Sequence, residues 1–178
     1  MTTIIAKKTA NGSVDIAYDS QSTGQSVTRS EKVFGKNNQM IVGVAGRTRY
    51  SNVLRYIDVP EIHPAEFERD SYDVLGYLIT QVVPAWVEGL EQQFKRIPDQ
   101  KEDWPEGLAL VVMKGRIFEV HFDFTVTEAE GDMFGIGSGA GYALGALAAG
   151  KSVEKAIQIA EKLDLYTGGD LHVMKGVK

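Results

Sequence analysis

Three turn signals constrain what this chain can fold into. Asn11-Gly12 stands between Thr2 to Lys8 and Ser13 to Asp19, Gly35-Lys36-Asn37-Asn38 between Glu31 to Phe34 and Gln39 to Ala45, and Lys114-Gly115 between Leu108 to Met113 and Arg116 to Phe122. Asn and Gly supply the backbone angles of tight turns, so each pair of runs is expected to fold back as an antiparallel hairpin. Helical spacing fills the gaps. It runs from about Thr48 to Tyr56, and from Ser71 onward Leu75, Leu78, Ile79 and Val82 recur at i, i+3, i+4 and i+7, with Pro84 expected to kink or split that helix. Gly141 to Ala149 and Ser152 to Leu163 follow, the latter with Val153, Ala156, Ile157, Ala160 and Leu163 on one stripe. Ser20 to Arg29 reads as a polar connector and Ile97 to Pro105 as a loop, while Met133 to Ile136 and Asp170 to Met174 add strands. Segregated blocks of strands and helices, without repeat or linker, predict one α+β layered domain over 1–178.

Composition narrows the function. At 43% hydrophobic and 24% charged the 178 residues are ordinary globular material, and a net charge of −5 without a basic stripe argues against nucleic acid. Zero cysteines remove disulfides, thiolate chemistry and Cys-ligated zinc, and His63, His121 and His172 are too scattered to predict a metal site. No cofactor is expected. Neither a signal region nor an apolar run of membrane length is visible, which predicts a cytoplasmic protein without membrane association. Gly135-Ile136-Gly137-Ser138-Gly139-Ala140 mimics a dinucleotide fingerprint, but the acidic residue required about twenty positions later would fall inside the Ser152 helix.

The chemistry is concentrated at the start. Removal of Met1 would leave Thr2 with a hydroxyl and an α-amine on one residue, and an amine of reference pKa about 8 can take the hydroxyl proton near neutral pH. Nucleophile and base would then be the same residue.

Downstream residues turn this pattern into a family resemblance. Thr2-Thr3-Ile4 resembles the mature start of bacterial HslV, Asp19 with Gln21 the early aspartate, and Glu31-Lys32-Val33 the lysine-bearing strand of proteasome β subunits and HslV. Gly43-Val44-Ala45-Gly46 is similar to the strand end that supplies the oxyanion-hole amide. Ile136-Gly137-Ser138-Gly139 resembles the family's Gly-Ser-Gly, and Asp164-Leu165-Tyr166-Thr167-Gly168-Gly169 its Asp-x-x-Ser-Gly-Gly, with Thr167 in place of serine. The resemblance covers about 170 residues and implies the N-terminal-nucleophile (Ntn) hydrolase fold, a four-layer αββα sandwich of two antiparallel sheets flanked by helices.

By the same resemblance Thr2 is the nucleophile, Lys32 the fixed cation with Asp19 as its partner, and Gly46 N–H the oxyanion donor. Ser138, Asp164 and Thr167 support the amine, and Val44 and Thr48 flank a substrate pocket. The implied activity is that of a threonine endopeptidase on peptides or unfolded proteins, self-associated into stacked rings, with an ATP-dependent unfoldase as a candidate partner. An amidohydrolase of small amides and a non-catalytic ring or shell protein fit many of the same residues, and both stay open.

Overall fold

The computed structural model describes residues 2–24, 26–94, 107–121 and 123–178, and the expected hairpins are joined there into two antiparallel sheets. β1 (Thr3–Lys8), β2 (Val14–Asp19), β10 (Met133–Gly137) and β11 (Leu171–Val177) form the first, in the order β10-β1-β2-β11. β5 (Val33–Lys36), β6 (Met40–Gly46), β7 (Gly107–Met113), β8 (Arg116–His121) and β9 (Val126–Glu128) form the second, in sequence order. The register of β1 sets Thr3 opposite Gly137 on one side and Ile4 opposite Tyr18 on the other.

Strand alternation distributes the apolar residues into three cores. Ile4, Ala6, Val14 and Ile16 meet Ala45, Leu110, Val112 and Ile117 between the sheets. Ile5 and Ala17 face outward instead and pack on Ala143, Leu147, Val153 and Ile157 of α5 (Ala140–Ala148) and α6 (Val153–Leu163). On the far side Val42, Val44, Val111 and Phe118 pack against Tyr50 and Leu54 of α1 (Thr48–Tyr56) and Trp86 and Leu90 of α4 (Val83–Phe94). The result is the expected helix, sheet, sheet, helix sandwich. Each fully buried Ile, Leu or Val side chain contributes roughly 1.5–3 kcal/mol, which makes the three cores the main source of cohesion.

Local departures have local causes. Only Gly12 of the first turn has positive φ, 79°, and its N–H donates to Thr9 O at 3.0 Å, so the loop is longer than a two-residue turn. Lys114 and Gly115 both have positive φ, 52° and 69°, as a tight turn between β7 and β8 requires. The second expected hairpin is shifted along the chain. Its turn centres on Asn37 and Asn38, at φ 52° and 53°, and β5 starts at Val33, leaving Lys32 just ahead of the strand.

Pro84 does not split its helix. α3 (Val74–Tyr77) passes through a π-helical turn, Leu78–Val82, into α4, and the Val83 N–H reaches back to Leu78 O. The wider turn directly before the proline makes room for a ring that an α-turn would press against a carbonyl. The polar connector contains a pair of strands, β3 (Gln21–Thr23) and β4 (Val27–Arg29), and α2 (Pro64–Phe67) is a single short turn. Phe122 and the expected loop Ile97 to Pro105 lie outside the described residues. No described helix is long and apolar enough to cross a membrane.

Candidate active site

Thr2 sits one residue ahead of β1, and its hydroxyl is an exception to the usual accounting of buried polar groups. The residue is 3% exposed, and Oγ1 makes no hydrogen bond among the described residues. An unsatisfied buried hydroxyl costs about 1–3 kcal/mol, so such a group needs a reason.

Its surroundings are built by two acids. Asp19, the last residue of β2 and 1% exposed, takes the Thr3 N–H at 2.7 Å and the Lys32 ammonium at 2.9 Å on Oδ1. Its other oxygen accepts Gln21 N–H and Gly168 N–H, each at 3.1 Å. One carboxylate therefore pins the start of β1, the start of β3, the approach to β5 and the turn after α6. Burial pushes the Lys32 ammonium below its usual pKa, and the charge and hydrogen bond of Asp19 oppose that shift without cancelling it. Lys32 is fixed through its backbone as well, because its carbonyl accepts Val44 N–H at 2.9 Å. That bond ties it to β6 two residues before Gly46.

Asp164 organises the second half. It follows α6 as the C-terminal cap, and Oδ2 accepts Thr167 Oγ1–H at 2.6 Å and Ser138 Oγ–H at 2.7 Å. Partial burial pushes the Asp164 carboxyl up, but the bonds from Thr167 and Ser138 outweigh it and hold it below the ordinary range. Ser138 is thus turned towards Asp164; Gly139 occupies the N-cap of α5 and provides no side-chain cap.

Glycines make the closeness possible. A Cβ at Gly137, φ 96°, would overlap the Thr2 carbonyl, and one at Gly139 would overlap the hydroxyls of Thr3 and Thr167. At Gly43 an added Cβ would lie 3.1 Å from Ile4 Cδ1, so a glycine also lets β6 approach the strand that begins next to Thr2. Gly46 ends β6 exposed at φ 120°, a conformation L side chains rarely adopt.

Solved structures share this architecture over nearly the whole chain. Thiobacillus denitrificans BPH in complex with epoxomicin aligns with a TM-score of 0.71 and 19% identity, covering 99% of this chain and 100% of that one. Eukaryotic HslV from Trypanosoma brucei aligns at 0.63 and 24% identity over 97% and 98% of the two chains. Anbu, the ancestral β-subunit from Yersinia bercovieri, aligns at 0.66 and 15%, over 97% of this chain and 80% of its own. The chain has the proteasome-type Ntn-hydrolase fold. No protein-family model matches its sequence, and no curated protein matches it either.

Within this proteasome-type fold the expected site residues divide into groups. Asp19 and Lys32 are bonded to each other, and Ser138, Asp164 and Thr167 are bonded together. Thr2 adjoins Thr3, which touches both groups. Val44 is part of the core between the second sheet and its helices, whereas half-buried Thr48 shares a hydrogen bond with Ser22 at 2.8 Å. A cavity of about 290 Å³ opens between α1 and α4, lined by Tyr56, Ile57, Asp58, Glu88 and Gly89 among others, and shares no residue with the Thr2 cluster. Sequence reasoning left out Thr3 and Ser20; Ser20 is buried and its Oγ takes the Asp170 N–H at 2.8 Å, closing the turn behind Gly169. Among the described residues no three His, Asp or Glu side chains gather as a metal site would require.

Proposed function

We propose that this protein is a cytoplasmic threonine peptidase of the HslV and proteasome kind, acting on peptides or unfolded chains from an N-terminal Thr2. One observation carries the reading: the orphan hydroxyl of Thr2 lies next to the residue whose amide is held by the buried Asp19–Lys32 pair. With Met1 removed, Thr2 Oγ attacks the scissile carbonyl carbon while its proton passes to the Thr2 α-amine. Lys32 lowers the pKa of that amine by like-charge repulsion and steadies the developing alkoxide, and Asp19 keeps the ammonium in place. The oxyanion is received by Gly46 N–H, a donor of a type worth roughly 3–4 kcal/mol in the transition state. Collapse breaks the C–N bond, the leaving amine takes the proton from the ammonium, and an ester remains on Thr2. Water then adds to the ester with the α-amine as base, releasing the acid and restoring the hydroxyl. Asp164, with Ser138 and Thr167, keeps a negative charge and oriented hydroxyls near the amine.

Self-association into rings is the second element of the proposal. Leu163, the last residue of α6, and Leu165 and Tyr166 just beyond it are exposed, Leu165 at 90%, and exposed Tyr142 lies in the first turn of the neighbouring α5. Apolar side chains concentrated in this way suit burial against another subunit.

Intact mass of the purified chain before and after epoxomicin, the ligand of the Thiobacillus denitrificans structure, tests the nucleophile. The expected result is loss of Met1 and one adduct per chain, absent in Thr2→Ala. Retained Met1, or a processed Thr2 that does not react in the assembled protein, overturns the reading.

A further inference from the structure

Thr3 is fully buried, at 0% exposure, and spends both of its free polar groups on the two halves of the site. Its N–H donates to Asp19 Oδ1 at 2.7 Å, the same oxygen that holds Lys32. Its Oγ1 lies 2.6 Å from Thr167 Oγ1. The direction of that second bond follows from counting protons. Thr167 has one hydroxyl proton and gives it to Asp164 Oδ2 at 2.6 Å, so the proton between the two threonines belongs to Thr3. Ser138 spends its proton on the same Asp164 oxygen. Three hydroxyls thus run one way, Thr3 to Thr167 to Asp164 and Ser138 to Asp164, and only Thr3 has a bond to Asp19 as well. The space for the Thr3–Thr167 contact exists only because residue 139 is a glycine.

We infer that Thr3 is a positioning residue, a two-sided clamp that fixes the preceding Thr2 relative to both the Asp19–Lys32 pair and the Asp164–Thr167–Ser138 cluster. The inference rests on the proposed role of Thr2. The amide half of the clamp survives any substitution that keeps a backbone N–H. The hydroxyl half is specific to Thr or Ser. Thr3→Val preserves shape and β-branching while removing the donor, leaving Thr167 without its incoming bond and the clamp with its amide half only. Because Thr3 is fully buried and has no surface to offer a substrate, the loss should fall on turnover and not on binding.

The test is steady-state cleavage of a fluorogenic peptide, together with the rate of epoxomicin adduct formation, by the full chain carrying Thr3→Val, Thr3→Ser or Thr167→Val. Thr3→Val should lower kcat and the adduct rate about tenfold or more with KM changed less than about twofold, since small misplacements of a reacting group are costly. Thr3→Ser should restore most of the loss. Thr167→Val removes the same bond from its other end together with the Thr167–Asp164 bond, so it should be at least as impaired as Thr3→Val, and the double valine variant should be little worse than Thr167→Val alone. If Thr3→Val does not fold, Thr3→Ala against Thr3→Ser carries the same comparison. A wild type that reacts while Thr3→Val matches it, or a Thr3→Ser as impaired as Thr3→Val, overturns the clamp alone. A wild type that does not react overturns the nucleophile and the clamp with it.

Discussion

Asp19→Asn removes one charge and changes the volume little, so its cost follows from the bonds the carboxylate makes. The carboxylate accepts four donors, two on each oxygen. An amide keeps one acceptor oxygen and turns an NH2 towards the other pair of donors, so two of the four bonds are lost whichever way it flips. Lys32 also loses the buried carboxylate it is paired with. Breaking a buried ion pair from one side costs about 3–5 kcal/mol. The lysine can escape by losing its proton, which sets a ceiling: from a reference pKa of 10.5 down to pH 7 is about 3.5 units at 1.36 kcal/mol each, about 5 kcal/mol.

The expected loss in urea unfolding at pH 7 is therefore about 3–5 kcal/mol, a large share of the roughly 5–15 kcal/mol of an average domain. The sign of its pH dependence is fixed. Burial already holds the folded pKa of Lys32 below its unfolded value, so the unfolded chain binds more protons between the two, and stability rises with pH in that window. Without Asp19 the folded pKa falls further. The deficit of Asp19→Asn should be full below the variant's lysine pKa, shrink as pH rises towards the wild-type lysine pKa, and then stay level. Lys32→Met in the same background should recover part of the loss. A deficit under about 1 kcal/mol, or one that grows with rising pH above neutrality, would refute the argument that Asp19 and Lys32 form a desolvated, mutually dependent pair.

Gly137→Ala places a Cβ on the Thr2 carbonyl at a φ of 96°, so it should cost about 1–3 kcal/mol in backbone strain and abolish epoxomicin adduct formation even where the protein still melts cooperatively. Glu154, at the start of α6, is bonded to Lys175 of β11 at 2.8 Å, and that hydrogen bond leads the causes that lower its pKa to about 2. Its contribution to stability is present above the ordinary glutamate range and is lost as pH falls towards 2; NMR titration should find Glu154 moved up in Lys175→Met.

Periodicity made the sandwich legible, and shortness hid the rest. Ile4, Ile5, Ile16 and Ala17 alternate between the inter-sheet core and the α5–α6 core, a pattern that six-residue strands display clearly. β3, β4 and β9 have three residues each, and β4 is exposed throughout, so neither alternation nor burial marks them. Pro84 was legible as a disturbance, but the π turn that absorbs it depends on how Leu78 and Val82 pack in the core. In the site, the family resemblance pointed to Asp19, Lys32, Ser138, Asp164 and Thr167. Thr3 escaped because its bonds span 16 and 164 residues, and nothing local distinguishes it from any threonine at a strand start.

The two acids do different electrostatic work, and the difference bears on how a threonine could be both nucleophile and base. Asp19 is answered in full, by one cation and three backbone N–H groups, and its charge opposes the burial that lowers the Lys32 pKa. Asp164 is answered by neutral donors, the Ser138 and Thr167 hydroxyls on one oxygen and the Tyr166 N–H, so its charge is oriented but not neutralised. An amine at the head of Thr2 would lie between a cation that pushes its proton off and an anion that draws one in. Such a base has its pKa set by the balance of two opposed fields, close to the pH at which it must take and return one proton per step. Removing the lysine charge should then shift the amine's titration up, and removing the Asp164 charge should shift it down. If Lys32→Met and Asp164→Asn move the pH–rate profile of adduct formation in the same direction, the amine is not governed by that balance.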